Sequence, residues 1–179
     1  MIGTFITYKA AQYFLHDMNT SDLNMTRDLL VNFLQRGRMT SQTQSQFMGI
    51  EFSSDRAVLY IDTDHDGVLD GTETTLGDIR FRGNVVLLSG CGDNALDLTN
   101  NKTVTFNSLG FVGVVSGSNF VKKSWQVFVQ NPKLDPGTRA REIEALSSGL
   151  IEKIPTGQSG FVTDNPKQAN LGGQDCATP

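Results

Sequence analysis

No apolar run in the sequence approaches the roughly 20 residues that a membrane-spanning helix requires, so no bilayer crossing is expected of these residues. Basic residues are not in excess either. Fifteen Lys and Arg against 19 Asp and Glu leave a formal charge of −4, which argues against a general binder of phosphate backbones. Proline is scarce, at 5 of 179 residues, whereas glycine reaches 18. Glycine scattered among short apolar runs favours a turn-rich β protein over a helical bundle. The hydrophobic content of 38% is enough for a sizeable core, and the length suits one domain or one domain plus an extension. Residues 1–20 lack the basic start, apolar centre and small-residue cleavage site of a signal peptide. If the chain is exported, its targeting segment has been removed.

The motifs of common enzymes are missing. There is no G-x-S-x-G, no H-E-x-x-H, no Walker-type loop and no Rossmann fingerprint. His16 falls on a helix face and His65 inside an acidic loop, neither beside a nucleophile or a metal-ligand partner. No enzyme is expected. Lys122-Lys123 and Arg139 with Arg141 form a small basic patch without interleaved aromatics, which reads as a solvated strand end and does not favour a nucleic-acid partner. The two cysteines, Cys91 and Cys176, stand far apart and outside any C-x-x-C spacing, so a zinc or thioredoxin-like site has no support. They are either two unrelated thiols or a disulfide made in an oxidising compartment. Their loop neighbours, Gly90, Gly92, Asp93, Gln174 and Asp175, suit a surface bridge that holds the C-terminal tail against the sheet region. The chain-entropy model assigns such a long closed loop at most about 4–5 kcal/mol.

What is present divides the chain into three parts. Residues 1–45 are helical in pattern: Tyr8, Ala11, Leu15, Met18, Met25, Leu29 and Phe33 recur along one stripe, which Leu23, Leu30 and Leu34 widen. Asn19 to Asp22 would cap a second helix or kink a single long one. Gly37 and the polar run Thr40–Gln46 place the helix end between Arg36 and Gln44. After Gln46 the apolar period drops to two, and residues 46–154 read as an antiparallel β domain. Strands are expected at Phe47–Phe52, Ala57–Ile61, Ile79–Arg82, Asn84–Leu88, Thr103–Phe106, Phe111–Val115, Trp125–Val129, Arg141–Ala145 and Leu150–Ile154. Residues 155–179, rich in Gly, Asn, Gln and Pro, read as an irregular tail. The fold class is α+β, an N-terminal amphipathic helix packed on antiparallel sheet.

One stretch carries a chemical pattern. Asp62-Thr63-Asp64-His65-Asp66-Gly67-Val68-Leu69-Asp70-Gly71-Thr72-Glu73 matches the twelve-residue EF-hand calcium loop in full. Asp62, Asp64 and Asp66 would supply side-chain oxygens, Val68 its carbonyl, Asp70 a direct or water-borne contact and Glu73 both carboxylate oxygens. Hard oxygen ligands on a flexible loop suit Ca2+ better than zinc or magnesium. Two like charges 4 Å apart cost roughly 4 kcal/mol at an effective dielectric near 20, and a cation would relieve that repulsion. Strands, not helices, flank the loop, so it is a calcium loop on a hairpin. The competing reading is a solvated acidic hairpin whose Asp66-Gly67 simply makes the turn.

Three further stretches, taken in order, resemble the GspH/FimT-type minor pilins and pseudopilins of type IV pili and type II secretion systems. They are Thr26–Leu30 through Leu34–Met39, like that family's helix end; Val104–Phe111, like its phenylalanine-to-glycine strand turn; and Arg141–Ile151, like its final hairpin. The likeness covers about residues 20–154. It departs at both ends: the prepilin cleavage site, the following glutamate and the apolar first half of the helix have no counterpart, and the tail beyond Ile154 is long. The resemblance implies a pilin-like fold and a structural subunit, with no chemistry of its own, that helps initiate or assemble a pilus or pseudopilus. It implies pilin-like subunits as partners. It also implies an anchor in the inner membrane through a helix missing here, with the globular part in the periplasm or in an extracellular pilus. A fragment without that anchor is expected to be mainly monomeric. The alternatives are a secreted calcium-dependent adhesion or binding module and a DNA-capturing minor pilin of a competence system.

Overall fold

The computed structural model describes residues 2–89, 94–99, 102–116, 119–135 and 138–154, with side chains from Tyr13 onward. Cys91, Cys176 and the segment 155–179 lie outside these residues, as do the side chains of Tyr8 and Ala11. A single helix, α1, runs over Ile2–Gln44. It stops by a Schellman arrangement: Ser45 takes the left-handed conformation at φ 53°, and the Gln46 N–H reaches back to the Ser41 carbonyl at 3.1 Å, satisfying an otherwise orphaned acceptor. Asn19–Asp22 neither break nor cap the helix.

Ten strands follow. They are β1 (Met48–Phe52), β2 (Arg56–Ile61), β3 (Thr74–Arg80), β4 (Val86–Leu88), β5 (Thr103–Phe106), β6 (Val112–Ser116), β7 (Asn119–Lys122), β8 (Trp125–Gln130), β9 (Ala140–Ala145) and β10 (Ile151–Ile154). They form two antiparallel sheets, one of six strands in the order β3-β2-β1-β5-β6-β7 and one of four in the order β10-β9-β8-β4. The fold is therefore α+β, one N-terminal helix packed on two antiparallel sheets. Two strands correct the sequence reading. β3 begins at Thr74, well before Ile79, because Thr74 and Thr75 pair with Ile61 and Tyr60. β7 was not expected at all: four residues ending in lysine carry no period, and cross-strand pairing to β6 alone makes them a strand.

The buried face of α1 also differs from the predicted stripe. Leu23, Thr26, Leu30, Phe33, Leu34 and Ser41 are buried, whereas Met25 is 44% exposed and Met18 48%. Leu23, Leu30, Phe33 and Leu34 keep their predicted place on this face, which gains Thr26, Gly37 and Ser41 and gives up Met18 and Met25. Small and polar groups explain the shift. Gly37 admits the side chains of Ile50, Leu59 and Phe106, and the Thr26 hydroxyl accepts the Arg82 N–H at 3.2 Å. Hydrophobicity cannot reveal such positions. Polar pins complete the dock: Asn131 Nδ2 donates to Asn19, Arg141 Nε to Asn24 Oδ1 at 3.1 Å, and Lys153 pairs with Asp28 at 2.9 Å. Trp125, fully buried, joins the sheets by donating its Nε1–H to the Gly113 carbonyl at 3.2 Å.

The three stretches that carry the resemblance converge at the end of α1. Asn107 Oδ1 caps the β5–β6 turn by accepting the N–H groups of Leu109 and Phe111. Gly110, at φ 78°, sits against Gln42, and Gln42 Nε2 donates to the Leu109 carbonyl at 3.1 Å. In the β9–β10 turn Gly149 adopts φ 92°, and a Cβ there would run into the Gly110 carbonyl and the Arg38 side chain. Only glycine suits both the conformation and the close approach.

Candidate metal loop

Residues 62–73 connect β2 to β3 and fold back over the sheet instead of projecting from the hairpin. The reason lies in local hydrogen bonding. Asp62, 1% exposed, accepts the Asp66 N–H on Oδ1 and the Gly67 N–H on Oδ2, each at 3.1 Å. That closes a tight ring, with His65 at φ 61° and Gly67 at φ 74°. A register shift between Leu59 and Tyr60 kinks the hairpin just below. The ring is held down by packing: His65 stacks on Phe47 with centroids 4.2 Å apart, and Phe47 meets Phe120 edge-on at 5.7 Å. Gly67 rests against Thr105 and Val115.

The loop brings Asp62, Asp64 and Asp66 together, with one carboxylate oxygen from each inside 4.8 Å. Glu73 stands at the base, where both its oxygens accept the Thr63 N–H, at 3.1 and 3.2 Å. Asp70 turns away to Thr72, accepting from its N–H and hydroxyl at 2.7 Å, and Val68 is half exposed. Thus three of the six sequence-predicted ligands are gathered; Glu73 is near, and Asp70 is not in the cluster. Burial pushes the Asp62 carboxyl up despite its two N–H donors, and the Asp66 charge adds to the rise. Glu73 is raised first by burial, then by the fields of Asp62, Asp64 and Asp70, with the Thr63 N–H opposing. Both rises come from burial and from the repulsion of neighbouring carboxylates.

Beneath the loop lies a group that pattern reading passed over. Tyr60 sits on the outer face of the six-stranded sheet, yet it is fully buried. Its ring lies over Gly49, its cross-strand partner, where any Cβ would collide with it. The hydroxyl lies near Thr103 and the carboxylates of Asp62, Glu51 and Glu73, and burial pushes its pKa far above the ordinary tyrosine value. A cleft of about 220 Å³ beside it is lined by Glu51, Asp66, Lys102, Thr105, Val115 and others, with Glu51 paired to Lys102 at 3.1 Å. The signal available in the sequence was the Gly49–Tyr60 pair on adjacent predicted strands, a glycine opposite an aromatic.

With helix, sheets and loop placed, likeness to solved structures becomes informative. The type IV minor pilin FimU of Pseudomonas aeruginosa superposes with a TM-score of 0.54 at 15% identity, covering 76% of this chain and 90% of that one. The chain has the GspH/FimT-type minor pilin fold. A second crystal form of FimU gives 0.51 at 14% identity, over 75% of this chain and 94% of that one. The minor pseudopilin EpsH from the type 2 secretion system of Vibrio cholerae gives 0.51 at 12% identity, over 76% and 98%. No family model and no curated protein matches the sequence. Among the described residues, no helix of this minor pilin fold is long and apolar enough to cross a membrane.

Proposed function

We propose that the chain is a structural minor pilin or pseudopilin subunit that contributes to initiating or assembling a type IV pilus or type II secretion pseudopilus. The observation that carries this reading is the division of α1. Its C-terminal half is buried on the two sheets, whereas Tyr13, Phe14, Leu15 and Met18 are 48–72% exposed. Exposed apolar side chains along one helix segment suit packing between subunits. The partners are other pilin-like subunits, the anchor is an apolar helix in the inner membrane, and the β domain lies in the periplasm or in the filament. The subunit performs no reaction of its own. Deleting the gene in the parent cell is expected to reduce filaments or secretion, with restoration by the wild-type copy but not by Phe14→Glu plus Met18→Glu. Unchanged assembly in the deletion strain would refute the role.

The acidic loop supports a second, compatible element. It binds Ca2+ through Asp62, Asp64 and Asp66, with the Val68 carbonyl, Asp70 and Glu73 completing the shell after a small adjustment of the loop. The cluster of three carboxylates around a buried Asp62 favours this over a plain acidic turn. The ion stabilises the loop against the sheet and takes no part in chemistry. Calorimetric titration is expected to show binding that Asp64→Ala plus Glu73→Ala abolishes. No heat, and no rise in Tm at millimolar calcium, would rule the site out.

A further inference from the structure

We infer that the six-stranded sheet holds a slot between β5 and β6 that takes up a short extended peptide of a partner protein, paired through its main chain. This goes beyond the subunit reading above and does not depend on it. β5 pairs with β6 over two rungs, Thr105 opposite Gly113 and Phe106 opposite Val112. Two residues further along, Thr103 would stand opposite Val115, but the two do not pair. Both are nevertheless strand residues. β5 stays paired with β1 as far as Thr103, and β6 with β7 as far as Ser116. The strands therefore part while each is held on its far side.

The bonds around the slot show which way its main chain points. The Phe52 N–H donates to the Lys102 carbonyl at 2.8 Å, and the Lys123 N–H to the Val112 carbonyl at 3.1 Å. Lys102 thus faces β1 and Val112 faces β7. Successive residues of a strand turn their N–H and C=O to opposite sides. Thr103 and Val115 accordingly turn theirs towards one another across the slot. Each edge presents a donor and an acceptor that the sheet leaves unmatched, which is the template that an added strand completes.

The slot is the cleft of about 220 Å³ beside Tyr60. Lys102, Thr103 and Thr105 form one wall, Val114 and Val115 the other, and the fully buried Trp125 the floor. Two contacts fix its closed end. Trp125 donates its indole N–H to the carbonyl of Gly113, in the last rung, at 3.2 Å, and Gly67 rests against Thr105 and Val115. The volume is below the roughly 300–1,000 Å³ of sites for drug-sized molecules, and the unmatched groups are main-chain groups. Both suit a few residues of extended chain. Glu51 and Lys102 cancel as an ion pair at 3.1 Å. Asp66 is the remaining charge of the lining and has no ion pair among the described residues. The matching segment carries apolar side chains on the face towards Val114 and Trp125 and basic ones on the other, at the two-residue period of a strand.

The test titrates the whole ¹⁵N-labelled chain, in EDTA so that no metal enters the loop, with blocked pentapeptides Lys-X-Thr-X-Lys carrying Val, Ile, Leu or Phe at both X positions. In the free protein the Thr103 and Val115 amides are expected to exchange with solvent about tenfold faster than those of Thr105 and Gly113, or more. Millimolar peptide is expected to shift their signals and that of the Trp125 indole, and to slow their exchange by about tenfold. Methylating the main-chain nitrogens of both X residues is expected to weaken binding by about five- to tenfold, the loss that one or two hydrogen bonds carry. Val115→Pro removes the slot-facing N–H at a position where β6 makes no ladder bond, and is expected to weaken the unmodified peptides as much. Should that variant not fold, the methylated peptides decide alone. Thr103 and Val115 amides that exchange as slowly as Thr105 in the free protein overturn the slot. So do a lack of response to every peptide, methylated peptides that bind as well as their parents, or free lysine that shifts the same signals equally. Loss of the gene without effect on assembly bears on the subunit reading and leaves this one standing.

Discussion

Replacing Glu142 with glutamine is expected to raise stability at neutral pH and to flatten its pH dependence. Glu142 is 4% exposed on β9, between Phe128 of β8 and Ile154 of β10. It lies on the sheet face away from α1, and its Oε2 has no hydrogen-bond partner. Gln126 and Gln130 flank Phe128 on that side, and Glu144 and Glu152 form an acidic cross-strand pair. Burial, helped by the charge of Glu144, pushes the Glu142 carboxyl up to about 7 from 4.5. The sign follows. Because the folded state holds this proton more tightly than the unfolded chain, the contribution is fully present below about pH 4.5 and is lost as pH climbs towards about 7. At about 1.4 kcal/mol per tenfold the ceiling is about 3 kcal/mol, and solvent screening of the carboxylate lowers it to about 1–3 kcal/mol. Urea denaturation of wild type and Glu142→Gln at half-unit pH steps measures the difference directly. The curves are expected to diverge between about pH 5 and 7 and to run parallel above. Curves parallel throughout would refute the argument that this carboxyl is buried uncompensated.

Phe33→Asp, which places an unpaired charge between helix and sheets at a site 4% exposed, is expected to cost about 4 kcal/mol or more; an unchanged Tm would place the packing face elsewhere. Gly149→Ala, at φ 92° and against the Gly110 carbonyl, is expected to lose about 1–3 kcal/mol and to loosen the end of α1, visible as faster amide exchange at Leu109. In alkaline titration Tyr60 is expected to stay un-ionised until the protein unfolds, because burial and neighbouring carboxylates oppose the phenolate. Early appearance of a third tyrosinate among the 3 tyrosines would contradict its burial. Peptide mapping without reductant is expected to find Cys91 joined to Cys176; free thiols in protein from an oxidising compartment would exclude the bridge.

Local chemistry was legible in the sequence. The change of apolar period near Gln46 marks the end of α1, since a helix and a strand bury residues at different spacings. Thr103–Phe106 reads as a strand because its alternation is strict, and Asp62–Glu73 reads as an acidic turn because Asp and Gly make that turn whatever surrounds it. Long-range packing was not legible. Which side of α1 is buried depends on Gly37 and Thr26, whose value lies in the partners that approach them, Ile50, Leu59 and the Arg82 amide. β7 exists only because β6 lies beside it. The gathering of Asp62, Asp64 and Asp66 follows from two backbone N–H groups turning onto Asp62, whereas the burial of Tyr60 needs the loop to lie down on Phe47, Thr105 and Val115. The junction at the end of α1, where Gln42 holds the Leu109 carbonyl and Gly149 packs on Gly110 and Arg38, joins residues more than a hundred positions apart. Spacing along a chain sets which side of an element is apolar, but contacts between elements are decided by shape and hydrogen bonding across space, and those belong to the tertiary structure alone.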